Sequence, residues 1–181
     1  MKIVSLNIGK RTEIQWKGKT YTTGIFKSKV EGPLFLDLED VENDVVIDRK
    51  HHGGIEQAVY AYGYNHYAYW RSLYPSHQID YGYMGENLTV SELEETEIHV
   101  GDIYKLGNAV VQVTKPRQPC FKLGIRFNDQ SIVKQFWNTT KSGVYFRILK
   151  TGKIATGDEF VLIEKSTNSS SIADVFTSKR A

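Results

Sequence analysis

An internal disulfide is excluded at once, because the chain holds a single cysteine, Cys120. A lone thiol suits a reducing compartment, and a cytoplasmic location is expected. An excess of one charge is missing too. The 23 basic and 21 acidic residues leave a formal +2, too weak a field to hold a nucleic acid polymer or an anionic membrane surface. No apolar run approaches the roughly 20 residues that cross a bilayer. The start, MKIVSLNIGKRTE, gives way to charges after a short apolar run, unlike the apolar core and cleavage site of a signal peptide. Proline is scarce at four residues, so it matters that two of them, Pro116 and Pro119, crowd the cysteine.

What the chain has instead is short β-branched and aromatic runs parted by glycine. KIVSLNI (2–8) reads as a first strand and TEIQWKGKTYTT (12–23) as a hairpin turning at Gly18. PLFLDL (33–38) sets Leu34, Leu36 and Leu38 on one face, and DVVID (44–48) and AVYAY (58–62) are further strand candidates. IHVGDIYKLGNAVVQVT (98–114) reads as consecutive strands with turns at Gly101-Asp102 and Gly107-Asn108; GVYFRIL (143–149) and DEFVLIE (158–164) close the series. Helical spacing is confined to NHYAYWRSLY (65–74) and NDQSIVKQFW (128–137). This pattern predicts a mainly β fold, a single barrel with a few short peripheral helices. The 181 residues suit one domain. We take 1–165 as the β domain and 166–181 as a polar, serine-rich tail with one short helix after Ser171.

Four stretches carry candidate chemistry. In QVTKPRQPCFKLGIRF (112–127) the prolines favour a loop leaving the strand before it, and Arg117 and Lys122 flank Cys120. Cations near a thiol favour the thiolate, which is both a nucleophile and a soft metal ligand; a buried, inert cysteine is the plainer alternative. In KHHGGIEQAVYAY (50–62), His51 and His52 would point to opposite sides of an extended chain and not share one ion. Gly53 and Gly54 can instead turn backbone N–H groups toward an anion, or simply make a turn. GKTYTTGIFK (18–27) gathers Thr22, Thr23 and Lys27 as donors for a phosphate, or forms a solvated hairpin. MGENLTV (84–90) sets a carboxylate, Glu86, and a carboxamide, Asn87, at a bend.

Taken together, HHGG, MGEN and the P-R-x-P-C-x-K-L box, in this order, resemble the MOSC domain family, named for the C-terminal domain of molybdenum cofactor sulfurase. The likeness is greatest to its small stand-alone bacterial branch, typified by YiiM, and covers roughly 1–165. The resemblance implies a β-barrel that binds molybdenum cofactor, a pyranopterin dithiolene with an anionic tail. It implies that Cys120 supplies the thiolate to molybdenum and is the catalytic residue. The cofactor-binding set becomes Thr22, Thr23, Lys27, His52, Gly53, Gly54, Gln57, Asn87 and Arg117. Relatives of this kind, like the mitochondrial amidoxime reducing components, reduce N-hydroxylated compounds, including hydroxylamino base analogues. One cysteine cannot build an iron–sulfur cluster, so the electrons are expected from a separate flavin or iron–sulfur protein. A homodimer is a further expectation. The alternative is a non-catalytic carrier of cofactor or sulfur. A cysteine hydrolase with His51 or His52 as base is a third reading, which only the thiol itself favours.

Overall fold

The computed structural model describes residues 1–47 and 53–180. His51 and His52 lie outside the described residues. β1 (Ile3–Gly9) leads into the hairpin of β2 (Thr12–Trp16) and β3 (Lys19–Thr23), then β4 (Lys27–Val30) and β5 (Leu34–Leu36). β6 (Val59–Gly63) precedes α1 (Tyr67–Leu73) and β7 (Leu88–Val90). β8 (Ile103–Leu106) and β9 (Ala109–Pro116) are followed by α2 (Phe121–Arg126) and α3 (Ser131–Trp137). β10 (Val144–Lys150), β11 (Gly152–Ile154), β12 (Phe160–Glu164) and α4 (Ile172–Thr177) complete the chain. No helix among the described residues is long and apolar enough to cross a membrane.

Eight strands make one sheet in the order β12-β8-β9-β10-β6-β7-β1-β4, while β11-β5 and β2-β3 are separate pairs. The fold is therefore mainly β with short helices, as the run pattern predicts. The ladder does not close into a barrel. The second half of β1 pairs with β4, which leaves only its first residues to meet the turn before β12. There Ile3 N donates to Asp158 O at 2.9 Å and Phe160 N to Met1 O at 3.0 Å.

β6 and β10 lie inside the sheet and are buried on both faces. Val59, Ala61, Val144 and Phe146 point into one apolar core with Leu6, Val111 and Val113. Tyr60, Tyr62 and Tyr145 point the other way, into a second core with Trp70, Leu123, Phe127 and Phe136. Alternation of side chains along a strand produces this division. It puts a layer of tyrosines between the sheet and the helices. The last helix joins that layer: Phe176 is fully buried and stacks on Trp137 with centroids 4.7 Å apart.

Several local expectations change. Residues 44–47 form no strand, because the Asp44 side chain is tied into a polar cluster described below. Leu38 is exposed, since β5 ends at Leu36. Residues 98–100 form no strand, only an isolated bridge from His99 to Ser171, while the turn expected at Gly101 is present. β9 runs through to Pro116, which faces Val144. β8 ends opposite Gln112, so the missing proline N–H costs no bond there. An unforeseen helix, α2, begins directly after Cys120. Gly124 disguises it in sequence; the end of the Gln130 side chain packs over this glycine, 2.4 Å from where a Cβ would fall.

Candidate functional site

A cleft opens on the tyrosine face of the sheet. Cys120, Arg117 and Lys122 line it from the segment after β9, and Tyr60 and Tyr145 form part of its floor. The connection from β3 to β4 contributes Thr23, Gly24, Ile25 and Lys27, and 44–47 form an apolar wall headed by Asp44. Gln57, Gly85 and Asn87 complete the rim. Six of the predicted site residues thus converge: Cys120, Thr23, Lys27, Gln57, Asn87 and Arg117. Thr22, Gly53 and Gly54 do not line the cleft. Thr22 sits on the opposite side of β3 from Thr23, as strand alternation requires. Gly54 has φ 83° and ψ 173°, a conformation essentially reserved for glycine. It starts the 3-10 turn Ile55–Gln57, where its carbonyl accepts from Gln57 N at 2.8 Å.

Asp44 is the main residue that sequence reading missed, since a carboxylate heading Val45-Val46-Ile47 looks like the start of a strand. In the fold it pairs with Lys27. It also accepts from Gly9 N at 2.7 Å and from Asn87 Nδ2 at 2.8 Å. Burial holds the Lys27 ammonium below the usual lysine range, although Asp44 opposes the shift. Asn87 is fully engaged: besides Asp44 its amide donates to Asn7 O at 3.4 Å and accepts from Tyr60 N at 3.3 Å. It braces the cleft rather than offering a free donor. Arg117 is 5% exposed, donates to Met84 O, and lies over the rings of Tyr60 and Phe136 at 5.2 and 5.8 Å. Burial alone would lower its pKa. Tyr60, Tyr145 and Cys120 outweigh that and raise it, so a permanent cation stands on the floor beside the thiol.

Gly85 and Asn87 line the cleft at two bends, and the Glu86 side chain between them is fully buried. Glu86 Oε1 accepts from Tyr67 Oη, from Thr89 Oγ1 at 2.7 Å and from Gly82 N at 2.9 Å. Oε2 has no partner among the described residues. Burial raises the Glu86 pKa against the pull of Tyr67 and Thr89. The folded protein therefore holds this proton to higher pH than the unfolded chain, where a glutamate titrates near about 4.3. Its stabilising contribution is complete below that value and is lost as pH rises through the folded-state pKa. Glu86→Gln keeps an acceptor for the three donors and removes the titration. It is expected to flatten the decline of melting temperature above about pH 4.3. Thermal melts of both proteins across that range check this; parallel curves would locate the titration elsewhere.

The donor set fits a molybdenum cofactor. Cys120 offers one soft thiolate. Lys27, Arg117 and Lys122 line the same cleft and offer cations to an anionic tail. At Gly85 a Cβ would fall 3.1 Å from Ile25 Cγ1 and 3.8 Å from the Arg117 guanidinium, so glycine keeps this rim open. No cluster of three or more metal-ligating side chains occurs among the described residues; the site offers a metal one thiol.

Residues 48–161 match the family model described as MOSC domain. The chain is 36% identical over 170 residues to the uncharacterized protein YflK of Bacillus subtilis (strain 168), covering 94% of this chain and 76% of that one. It is 38% identical over 151 residues to a protein of Gibberella moniliformis named Reductase, covering 82% of this chain but only 27% of the fungal protein. Among solved structures, YiiM from Geobacillus stearothermophilus superposes with a TM-score of 0.81 at 34% identity. That match covers 99% of this chain and 83% of the other.

Proposed function

The chain belongs to the MOSC domain family, and on that premise we propose that it is a molybdenum-cofactor-dependent reductase of N-hydroxylated compounds. The observation that carries the reading is the placement of Cys120 in the same cleft as Lys27, Arg117 and Lys122. When bound, the cofactor supplies the two-electron reduction that turns an N–OH group into an amine and water. The protein's own residues hold and orient. Cys120 is the soft ligand, and the three cations face the anionic tail. The apolar wall Val45-Val46-Ile47 helps exclude water from one side. Burial raises the Tyr145 pKa despite Arg117, so its hydroxyl stays a neutral donor beside Cys120.

Electrons come from a separate protein that carries a flavin or an iron–sulfur cluster, and the reaction is placed in the cytoplasm. The same reading takes the curled sheet as the family's barrel, with the bonds between Ile3 and Asp158 as its seam. The deciding experiment is to produce the protein in a host that makes molybdenum cofactor. Molybdenum per chain and turnover of a hydroxylamino base analogue with a chemical reductant are then measured. Near-stoichiometric metal with turnover is expected. Metal without turnover would favour a cofactor carrier, and no metal at all would sink both.

A further inference from the structure

The β2–β3 hairpin stands apart from the main sheet, its two strands pairing only with each other. Its turn, Lys17-Gly18, has φ of 48° and 73°, the positive values that a two-residue hairpin loop requires. Aromatic contacts fasten this ribbon to the thiol segment. The Trp16 ring stacks on Phe121 with centroids 6.0 Å apart, and Tyr21 meets the same ring edge-on at 5.0 Å. Phe121 directly follows Cys120, and Thr23 at the ribbon's inner end lines the cleft. The hairpin therefore stands at the rim of the thiol site.

The hairpin is basic. Residues 10–19 hold four cations, Lys10, Arg11, Lys17 and Lys19, against one carboxylate, Glu13, and all five side chains are exposed. Among the described residues none of the four cations is ion-paired, whereas Lys27, Lys29, Arg147 and Lys165 are. A chain with a formal charge of only +2 thus concentrates +3 in ten residues near the segment of its one cysteine. Local charge of this kind steers a partner of opposite sign and sets its orientation. Trp16, half-buried at the tip, adds an aromatic anchor of the type enriched at interfaces.

We propose that the basic hairpin, through its exposed cations, docks the acidic face of a flavin-carrying electron donor of the flavodoxin type. The inference rests on the reductase reading, which needs an external donor. The balance is two electrons and two protons for each N–OH group converted to amine and water. Two reduced donors are oxidised by one electron each, docking in turn beside Cys120.

The test uses the full chain, a flavodoxin as probe, and a Lys17→Asn/Lys19→Glu variant. Asparagine suits the positive φ at 17, so the turn is kept while the hairpin's net charge falls to zero. At low salt the variant is expected to bind flavodoxin about tenfold or more weakly, the gap closing at high salt. Lys150→Asn/Lys153→Glu, with the same change in charge, should bind as the parent does. Turnover driven by dithionite tests the reductase reading alone and should be equal in parent and hairpin variant. Turnover driven by reduced flavodoxin should fall only in the hairpin variant. Three results would overturn the docking proposal: no flavodoxin binding by the parent, equal weakening in both variants, or displacement of flavodoxin by an oligonucleotide of similar affinity.

Discussion

Cys120→Ser is expected to lose nearly all molybdenum and all measurable reductase turnover while melting no earlier than the parent. A serine hydroxyl is a hard donor that stays protonated near neutrality, so it does not replace a thiolate on a soft metal. Loss of an outer-shell partner commonly costs a metal site roughly 10–100-fold, and loss of the one protein ligand should exceed about 100-fold. The structure separates this loss from any effect on folding. Cys120 occupies the N-cap position of α2, with φ −133° and ψ 171°, and its side chain caps nothing. Serine is a preferred residue at that position, so the helix start is kept or slightly strengthened. Metal content, turnover and a thermal melt on one preparation check all three expectations. A serine variant that retained metal and turnover would remove Cys120 from the site. One that merely unfolded would show that the cysteine is structural.

Asp44→Ala should be the most damaging single change to stability among the cleft residues. It strands the buried Lys27 ammonium and releases the Gly9 N–H and the Asn87 amide together. Removing one partner of a buried ion pair typically costs about 3–5 kcal/mol, a fall in Tm of roughly 10 °C for a chain of this size. Cofactor retention should fall with it, since Lys27 and Asn87 lose their anchor. A Lys27→Met/Asp44→Leu variant replaces the pair by apolar groups and should recover much of the stability. It should not recover the cofactor, because the cation is gone. Denaturant titration of the three proteins distinguishes the cases. A cost below about 1 kcal/mol for Asp44→Ala would mean that the pair behaves as a solvated one.

Much of the cleft was legible because its parts are chemically unusual where they stand. A cysteine between two prolines and two cations invites explanation in any sequence, and Lys27 after a run of hydroxyls does so more weakly. Asp44 carried no such sign. Its role depends on Gly9, Lys27 and Asn87, which are 35, 17 and 43 residues away. Gly53 and Gly54 drew attention for the freedom of glycine. Gly54 uses that freedom for a turn, while Gly24 and Gly85, within the GKTYTTGIFK and MGENLTV stretches, border the cleft. At Gly24 a Cβ would fall 1.9 Å from Val45 O, a close approach that local sequence cannot reveal.

By itself the sequence determined the kinds of element and the order of the chemical motifs. Those follow from side-chain alternation, turn residues and residue chemistry, all of which act over a few positions. It was enough to read most strands, both longer helices, the single thiol and the family likeness. The tertiary structure decided what lies opposite what. Burying β6 and β10 on both faces sent Tyr60 and Tyr145 to the helical side, and the cleft formed there. Packing against Gln130 made a helix of the segment after Cys120. Contacts between distant segments made Asp44 a structural anion, buried Glu86, and left the exposed cations of the hairpin near the thiol segment. Such placements are set by which surfaces exclude water together, and that is a property of the whole chain rather than of any short stretch of it.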